Sequence, residues 1–319
     1  MYNKVLLFFK GGENMKVTEI GGRGLMFDFE EGETTLGQTI VYAIKGEKYI
    51  FLCDTQTGPK PMKLVKEYLK NELKHKKLII FNSHYHWDHI WGNDYFENSI
   101  IISHSKAREN MIENAEDELK DNSKFVEGKI NIKYPDITFD KKLTFEDEGV
   151  EFIYAPGHTS GHAICYDKKE KVVFVGDLVE EPMPMLLDKD LDAFRNSLEY
   201  LLTMDVKTYV TTHSYIATED MVNLNLQYVK AVIDDKNTPE RILKDYPKME
   251  ILDKFNRNNV MMLKYENILK NSNEDFDGEK FREKLWEEMK IDKSKYDNPV
   301  VMIASIDKDE LEKKIKEKL

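Results

Sequence analysis

Cysteine is nearly absent. Cys53 and Cys165 are the only two in 319 residues, far apart and outside any CxxC pair, which argues against a disulfide scaffold or a thiolate zinc knuckle. Both thiols sit in apolar runs and read as buried and inert. Long apolar runs are missing too: nothing approaches ~18–20 consecutive apolar residues, so no membrane span is expected. Net positive charge is lacking, the formal balance being −12. Because nucleic-acid binding rests on a basic surface that neutralises phosphates, no nucleic-acid partner is expected. The opening MYNKVLLFF has a short apolar run but no small-residue cleavage site after it, so the expected location is cytoplasmic. Met15 is an alternative start. Residues 1–15 then read as a lead-in, weakly structured over its first 14 positions.

What the chain does have is core material, 41% hydrophobic residues, enough for one large domain with an appendage. Residues 16–58 read as an antiparallel meander with strands at 16–20, 25–29, 38–44 and 49–54. Glycines at 21, 22, 24, 32, 37 and 46 mark its turns. Met62, Val65, Leu69 and Leu73 then recur on one helical stripe, and 78–83 is a buried strand. A strand is expected at 99–103, a polar helix at 106–119 with Met111 and Ile112 toward the core, and a charged irregular connection over 120–141. Strands follow at 142–145, 150–154, 163–166 and 171–175, then a helix at 191–202 and a strand at 207–212. From about 217 the period is helical, at 218–234, 240–244, 260–269 and 276–289, with charges that read as solvated faces. The chain ends with a strand candidate at 300–304 and a helix opened by Asp307 with Glu310 three residues on, in the manner of a capping box.

The stretch LIIFNSHYHWDHIW, residues 78–91, packs His84, His86, Asp88 and His89 into six positions. In an extended segment alternate side chains share a face, so His84 and His86 point the same way. A turn or helix start then sends Asp88 and His89 elsewhere, which suits two neighbouring metal ions better than one. The cluster stands at the carboxyl end of a strand, where α/β sheets usually host ligands. Three further strand ends carry matching residues: His158 and His162 in the PGHTSGH loop, Asp177 in a Gly-Asp pair, and His213. Six of the eight histidines fall in these places. His75, within KHKK, reads as a solvated residue, and His104 as a surface or helix-start residue.

With its HxHxDH signature, His84-Tyr-His86-Trp-Asp88-His89, and the later motifs in order, the chain from 16 to 216 resembles the metallo-β-lactamase superfamily. The resemblance implies an α/β fold, a four-layer αββα sandwich, here with a helical C-terminal extension over 217–319. It implies that His84, His86 and His158 hold one metal and Asp88, His89 and His213 a second. Asp177 bridges them, while Asp54 and His162 support the ligands from behind. Two Zn2+ per chain are expected from imidazole and carboxylate donors, with iron or manganese as competitors. In many zinc β-lactamases a cysteine stands where Asp177 is here.

The implied function is hydrolysis of an ester-, thioester-, lactone- or amide-type small molecule by a hydroxide bridging the two ions, formed because such a water can have its pKa lowered to about 7. Asp88 is the candidate catalytic base. After Asp177 the chain reads LVEEPMPM, without the arginine contacts expected of a glutathione thioesterase. Glu180 and Glu181 disfavour an anionic substrate, and 182–187 offers an apolar lip. Tyr85, Trp87 and Trp91 flank the ligand turn, two of the three packing inward. One alternative is a mononuclear iron dioxygenase on the same scaffold, akin to persulfide dioxygenases. The other is a non-catalytic metal-binding regulatory module. The extension, with Phe281, Leu285 and Met289 on one stripe, is expected to be a lid or a homodimer contact.

Overall fold

The computed structural model describes residues 5–10, 13–29, 38–273, 275–296 and 298–317. Two sheets form its centre. The first begins with an antiparallel meander, β1 (Val5–Lys10), β2 (Glu13–Ile20), β3 (Gly24–Phe29), β4 (Thr39–Lys45) and β5 (Tyr49–Cys53). A helix, α1 (Pro59–Tyr68), then crosses to β6 (Lys77–Asn82), which lies parallel to β5. After the short α2 (Trp87–Ile90), β7 (Ile100–His104) pairs parallel with β6. A long helix, α3 (Ser105–Asp121), leads to β8 (Ile137–Phe139) at the sheet's edge. The second sheet holds β9 (Lys142–Phe145), β10 (Val150–Tyr154), β11 (Ala163–Asp167) and β12 (Val172–Gly176), all antiparallel neighbours. Helix α4 (Leu191–Thr203) returns the chain to β13 (Thr208–Thr211), parallel to β12, and β14 (Ile216–Ala217) closes this sheet.

Alternation along the strands builds the layers. In β6, Ile79 and Phe81 face the space between the sheets, while Leu78 and Ile80 face the α1 side. The same division separates Phe51 and Cys53 from Ile50 and Leu52 in β5, as the two-residue side-chain period requires. Strands buried on both faces read as continuous apolar runs. Between the sheets Phe81 stacks on Phe152 with ring centroids 4.4 Å apart, and burying each such ring contributes about 1.5–3 kcal/mol. Helix α1 covers the outer face of the first sheet through Met62, Val65 and Leu69, the stripe expected from sequence. Helix α4 and α5 (Glu219–Ile233) cover the second. The order helix, sheet, sheet, helix is the expected four-layer sandwich.

Polar ties join the two sheets at the end remote from the strand-end histidines. Arg23 forks onto Asp167 through Nε at 2.8 Å and Nη2 at 2.5 Å. Glu148 accepts from the backbone N–H groups of Glu47 and Lys48, each at 2.7 Å.

After β14 every described element is a helix: α5, α6 (Glu240–Asp245), α7 (Glu250–Ser272), α8 (Gly278–Glu288), α9 (Pro299–Ala304) and α10 (Lys308–Lys316). Helices α7 to α10 share a core around Met262, Leu285 and Ile303, with Phe281 and Met289 packed against it. Asp307 caps α10 by accepting from Glu310 N–H, as the capping-box spacing implies. No described helix is long and apolar enough to cross a membrane.

Several expectations change. Residues 300–304 are helical, because Asn298 caps Val300 N–H and Pro299 starts the first turn; a short apolar run does not by itself distinguish strand from helix. The helix expected at 260–269 is the interior of the much longer α7. Residues 5–10 and 13–14 of the lead-in pair as a hairpin. The irregular 120–141 segment contains β8. Met111 is buried as expected, but Ile112 is 51% exposed. Gly32 and Gly37 lie outside the described residues.

Candidate metal centre

The carboxyl ends of β5, β6, β12 and β13 and the loop between β10 and β11 meet at one rim of the sandwich. β6 runs out at Asn82, and the extended residues after it project His84 and His86. Helix α2 starts at Trp87, which puts Asp88 and His89 on its first turn. Gly176 ends β12 at φ +54°, and a Cβ there would stand 2.9 Å from both Ser83 Oγ and His162 Nε2. Only glycine fits this backbone next to Asp177.

The seven candidate ligands converge. His84 Nε2 lies 2.9 Å from His86 Nδ1, which lies 3.1 Å from His158 Nε2. On the other side His213 Nε2 is 3.3 Å from Asp88 Oδ2, and His89 Nε2 is 3.7 Å from Asp88 Oδ1. Between the two groups stands Asp177: its Oδ2 is 3.8 Å from His84, 3.5 Å from His158, 3.3 Å from His89 and 3.5 Å from His213, measured to Nε2 in each. A tetrahedral ion with metal–donor bonds of about 2.0–2.1 Å spaces its donors by about 3.3–3.4 Å. The donor separations, 2.9–3.8 Å, scatter around that spacing, in two groups on either side of Asp177 Oδ2. His89 Nε2 and Asp177 Oδ1 are buried and make no hydrogen bond, a cost that a bound cation would remove. The residues present therefore fit divalent metal held by nitrogen and oxygen.

Behind the donors, four of the five rings, those of His84, His89, His158 and His213, are fixed by their other nitrogen. His89 Nδ1–H donates to Asp54 Oδ2 at 2.8 Å. Ser83 donates to the same carboxylate through both its N–H and its hydroxyl, each at 2.7 Å. Its oxygen in turn lies 3.0 Å from His84 Nδ1. His213 Nδ1 reaches the carbonyl of Gln38 at 2.9 Å and His158 Nδ1 that of Met185 at 3.3 Å. These partners select the tautomers that aim Nε2 inward. Asp54 itself holds a left-handed backbone, φ 62°. His162 stands outside these donor groups, its Nδ1 on the Ala155 carbonyl and its ring stacked against His84 at 5.3 Å.

Electrostatics divides the set. Burial lowers His84 well below the usual histidine range, His86 to about 4 and His158 and His162 to about 3, so all four are neutral, the form in which imidazole binds metal. Burial also opposes charge on His89 and His213, but the carboxylates of Asp177 and Asp88 override it and raise both. Burial pushes the other way on Asp88, yet His89 and His213 bring it down to about 2.

A cavity of about 290 Å³ opens over the donors. Trp87, Glu118 and Asn122 form one wall, and Glu180, Met185 and Leu187 the other. Burial and then the Asp88 charge push Glu118 up to about 8, and burial with Asp177 does the same to Glu180. The Glu180 carboxylate also comes within ligand reach of His158 and Asp177. Glu118 and Asn122 escaped the sequence reading. The signal was there for Glu118, which lies seven residues after Met111 and so on the same helical stripe. Of the three aromatics, Trp91 is buried, Trp87 is partly buried and stacks on Phe125, and Tyr85 is partly buried. His104, expected as a surface or helix-start residue, is the latter: it caps α3 by accepting from Lys106 N–H, is 3% exposed and stacks on Tyr154.

The family model of the metallo-beta-lactamase superfamily matches residues 34–213, from the meander through the last candidate ligand. The chain belongs to the metallo-beta-lactamase superfamily. Solved structures agree on the fold. A metallo-beta-lactamase from Pontibacter korlensis is 19% identical, with a TM-score of 0.55 over 68% of this chain and 99% of that one. Another, from Hirschia baltica, is 14% identical, with a TM-score of 0.54 over 67% and 97%. A search of curated proteins finds no match. The metallo-beta-lactamase fold thus accounts for the two sheets and the rim at which the candidate donors gather.

Proposed function

We propose that this chain is a dinuclear metal-dependent hydrolase, with zinc as the first candidate metal, acting on a neutral or cationic small molecule with an ester, thioester, lactone or amide bond. The observation that carries the reading is Asp177 Oδ2, within 3.3–3.8 Å of one nitrogen from each of four histidines. His84, His86 and His158 would hold one ion, Asp88, His89 and His213 the other, and Asp177 both. Divalent ions bound there supply a Lewis acid for the scissile carbonyl and bring a water's pKa to about 7.

The side chains do the rest. Asp88, ionised and at the cavity floor, is placed to accept the nucleophile's proton. Met185 and Leu187 give an apolar wall that excludes water from the leaving group. The charge preference rests on the lining, in which no lysine or arginine stands among the described residues, and Glu118 and Glu180 add to it only in their ionised forms. The test is turnover of purified, zinc-saturated protein on matched esters and lactones with neutral, cationic and anionic side groups. Neutral and cationic members should turn over faster than the anionic one. An anionic substrate processed fastest, or stoichiometric iron with oxygen consumption, would contradict the reading.

A further inference from the structure

The cavity wall formed by 180–187 is held by side chains of the helical extension. Asn225 of α5 accepts from Glu180 N–H at 2.9 Å and donates to the carbonyls of Glu180 and Pro182 at 2.9 and 3.1 Å. Asn256 of α7 accepts from Leu186 N–H and donates to the Pro184 carbonyl, both at 2.9 Å, and also to Tyr228 Oη at 3.0 Å. Asn259, one helical turn on and on the same face, donates to the Leu186 carbonyl at 2.9 Å. Asn225 and Asn256 are fully buried and Asn259 is 6% exposed. In an apolar core such amides are retained only when their bonds are made, and here nearly all of those bonds go to one loop.

The register of these bonds matters. Asn256 and Asn259 take the carbonyls of Pro184 and Leu186, on either side of Met185. The Met185 carbonyl is left pointing at His158 Nδ1, 3.3 Å away. That bond sets the His158 tautomer and turns its Nε2 toward His86 and Asp177.

We infer that α5 and α7 work as an asparagine clamp, in which Asn225, Asn256 and Asn259 fix the cavity wall and, through the Met185 carbonyl, orient His158 for metal binding. Asn256 is the central positioning residue. The extension is thereby part of the metal centre's support rather than a separate lid. The inference rests on the metal-centre reading above.

The test compares Asn256→Ala and the milder Asn259→Ala with Asn258→Ala. Asn258 is equally buried on the same helix, but its amide serves the carbonyls of Ile303 and Ile306 inside the extension. Zinc affinity is read by competition with a chelator, without substrate, alongside thermal stability and amide exchange of 185–187. Asn256→Ala should bind zinc about tenfold more weakly and Asn259→Ala should shift the same way by less, with Asn258→Ala within about twofold of wild type despite a similar loss of stability. Because coupling is reciprocal, zinc should also slow exchange of the wild-type 185–187 amides. Wild type that binds zinc, with all three variants shifted alike or not at all, overturns the clamp alone. Wild type that takes up no metal overturns the metal-centre reading and the clamp's link to it together.

Discussion

Asp54 Oδ2 lies 2.8 Å from His89 Nδ1, and the same carboxylate holds Ser83, whose hydroxyl stands against His84 Nδ1. One buried aspartate therefore steadies a histidine from each of the two donor sets. Asp54→Asn would face His89 Nδ1–H with an amide that can present an N–H in place of a carboxylate oxygen. We expect zinc affinity to fall by about 10–100-fold, the usual effect of losing a partner behind a metal ligand. Calorimetric zinc titration checks it, and unchanged affinity would remove Asp54 from the site's support.

Asp88→Asn addresses the second donor set alone. His84, His86 and His158 keep their geometry, so the variant should fold, retain one ion and lose most turnover. Elemental analysis and kinetics read the two effects together. Unchanged metal content with unchanged turnover would end the assignment of Asp88.

Glu118 carries a pH signature. Its folded pKa of about 8 lies above the ordinary 4.5, so between these values the folded state keeps a proton that the unfolded chain has released. The folded protein binds more protons there, and stability falls as pH rises. Glu118→Gln removes that loss. Metal-free variant and wild type should be similar near pH 4.5, with the variant ahead by on the order of 2 kcal/mol at pH 8, the ideal linkage figure being reduced by partial exposure. Urea denaturation at both pH values measures this; a gap that shrinks as pH rises would contradict it.

Arg23 and Asp167 pin the first sheet to the second, with Arg23 12% and Asp167 0% exposed at the side chain. Arg23→Met strands a buried charge and should cost about 3–5 kcal/mol, while Arg23→Met with Asp167→Asn should recover part of it. Thermal unfolding of both variants decides between a pairing effect and simple loss of bulk.

Much of this was legible from the sequence because the signals are local. The Met62, Val65 and Leu69 stripe is periodic within one helix, and the 84–89 cluster is dense within one turn, so neither needs knowledge of distant partners. The asparagines of α5 and α7 are the contrary case. In sequence they are polar residues in helices that read as solvated faces; only packing of α5 and α7 on the 180–187 loop buries them. Glu118 lay on the legible stripe of Met111, but its meaning is set by Asp88 across the cavity. Residues 300–304 misled because an apolar pentapeptide fits strand and helix alike, and a cap at Asn298 decides.

The most direct test of the central claim is metal stoichiometry at saturation in wild type and in Asp177→Ala. If Asp177 is the shared donor, wild type takes up two zinc ions per chain in two resolvable steps and Asp177→Ala loses affinity at both. A single ion in saturated wild type, or an Asp177→Ala variant that still binds two with native affinity, would contradict a dinuclear centre built on that carboxylate.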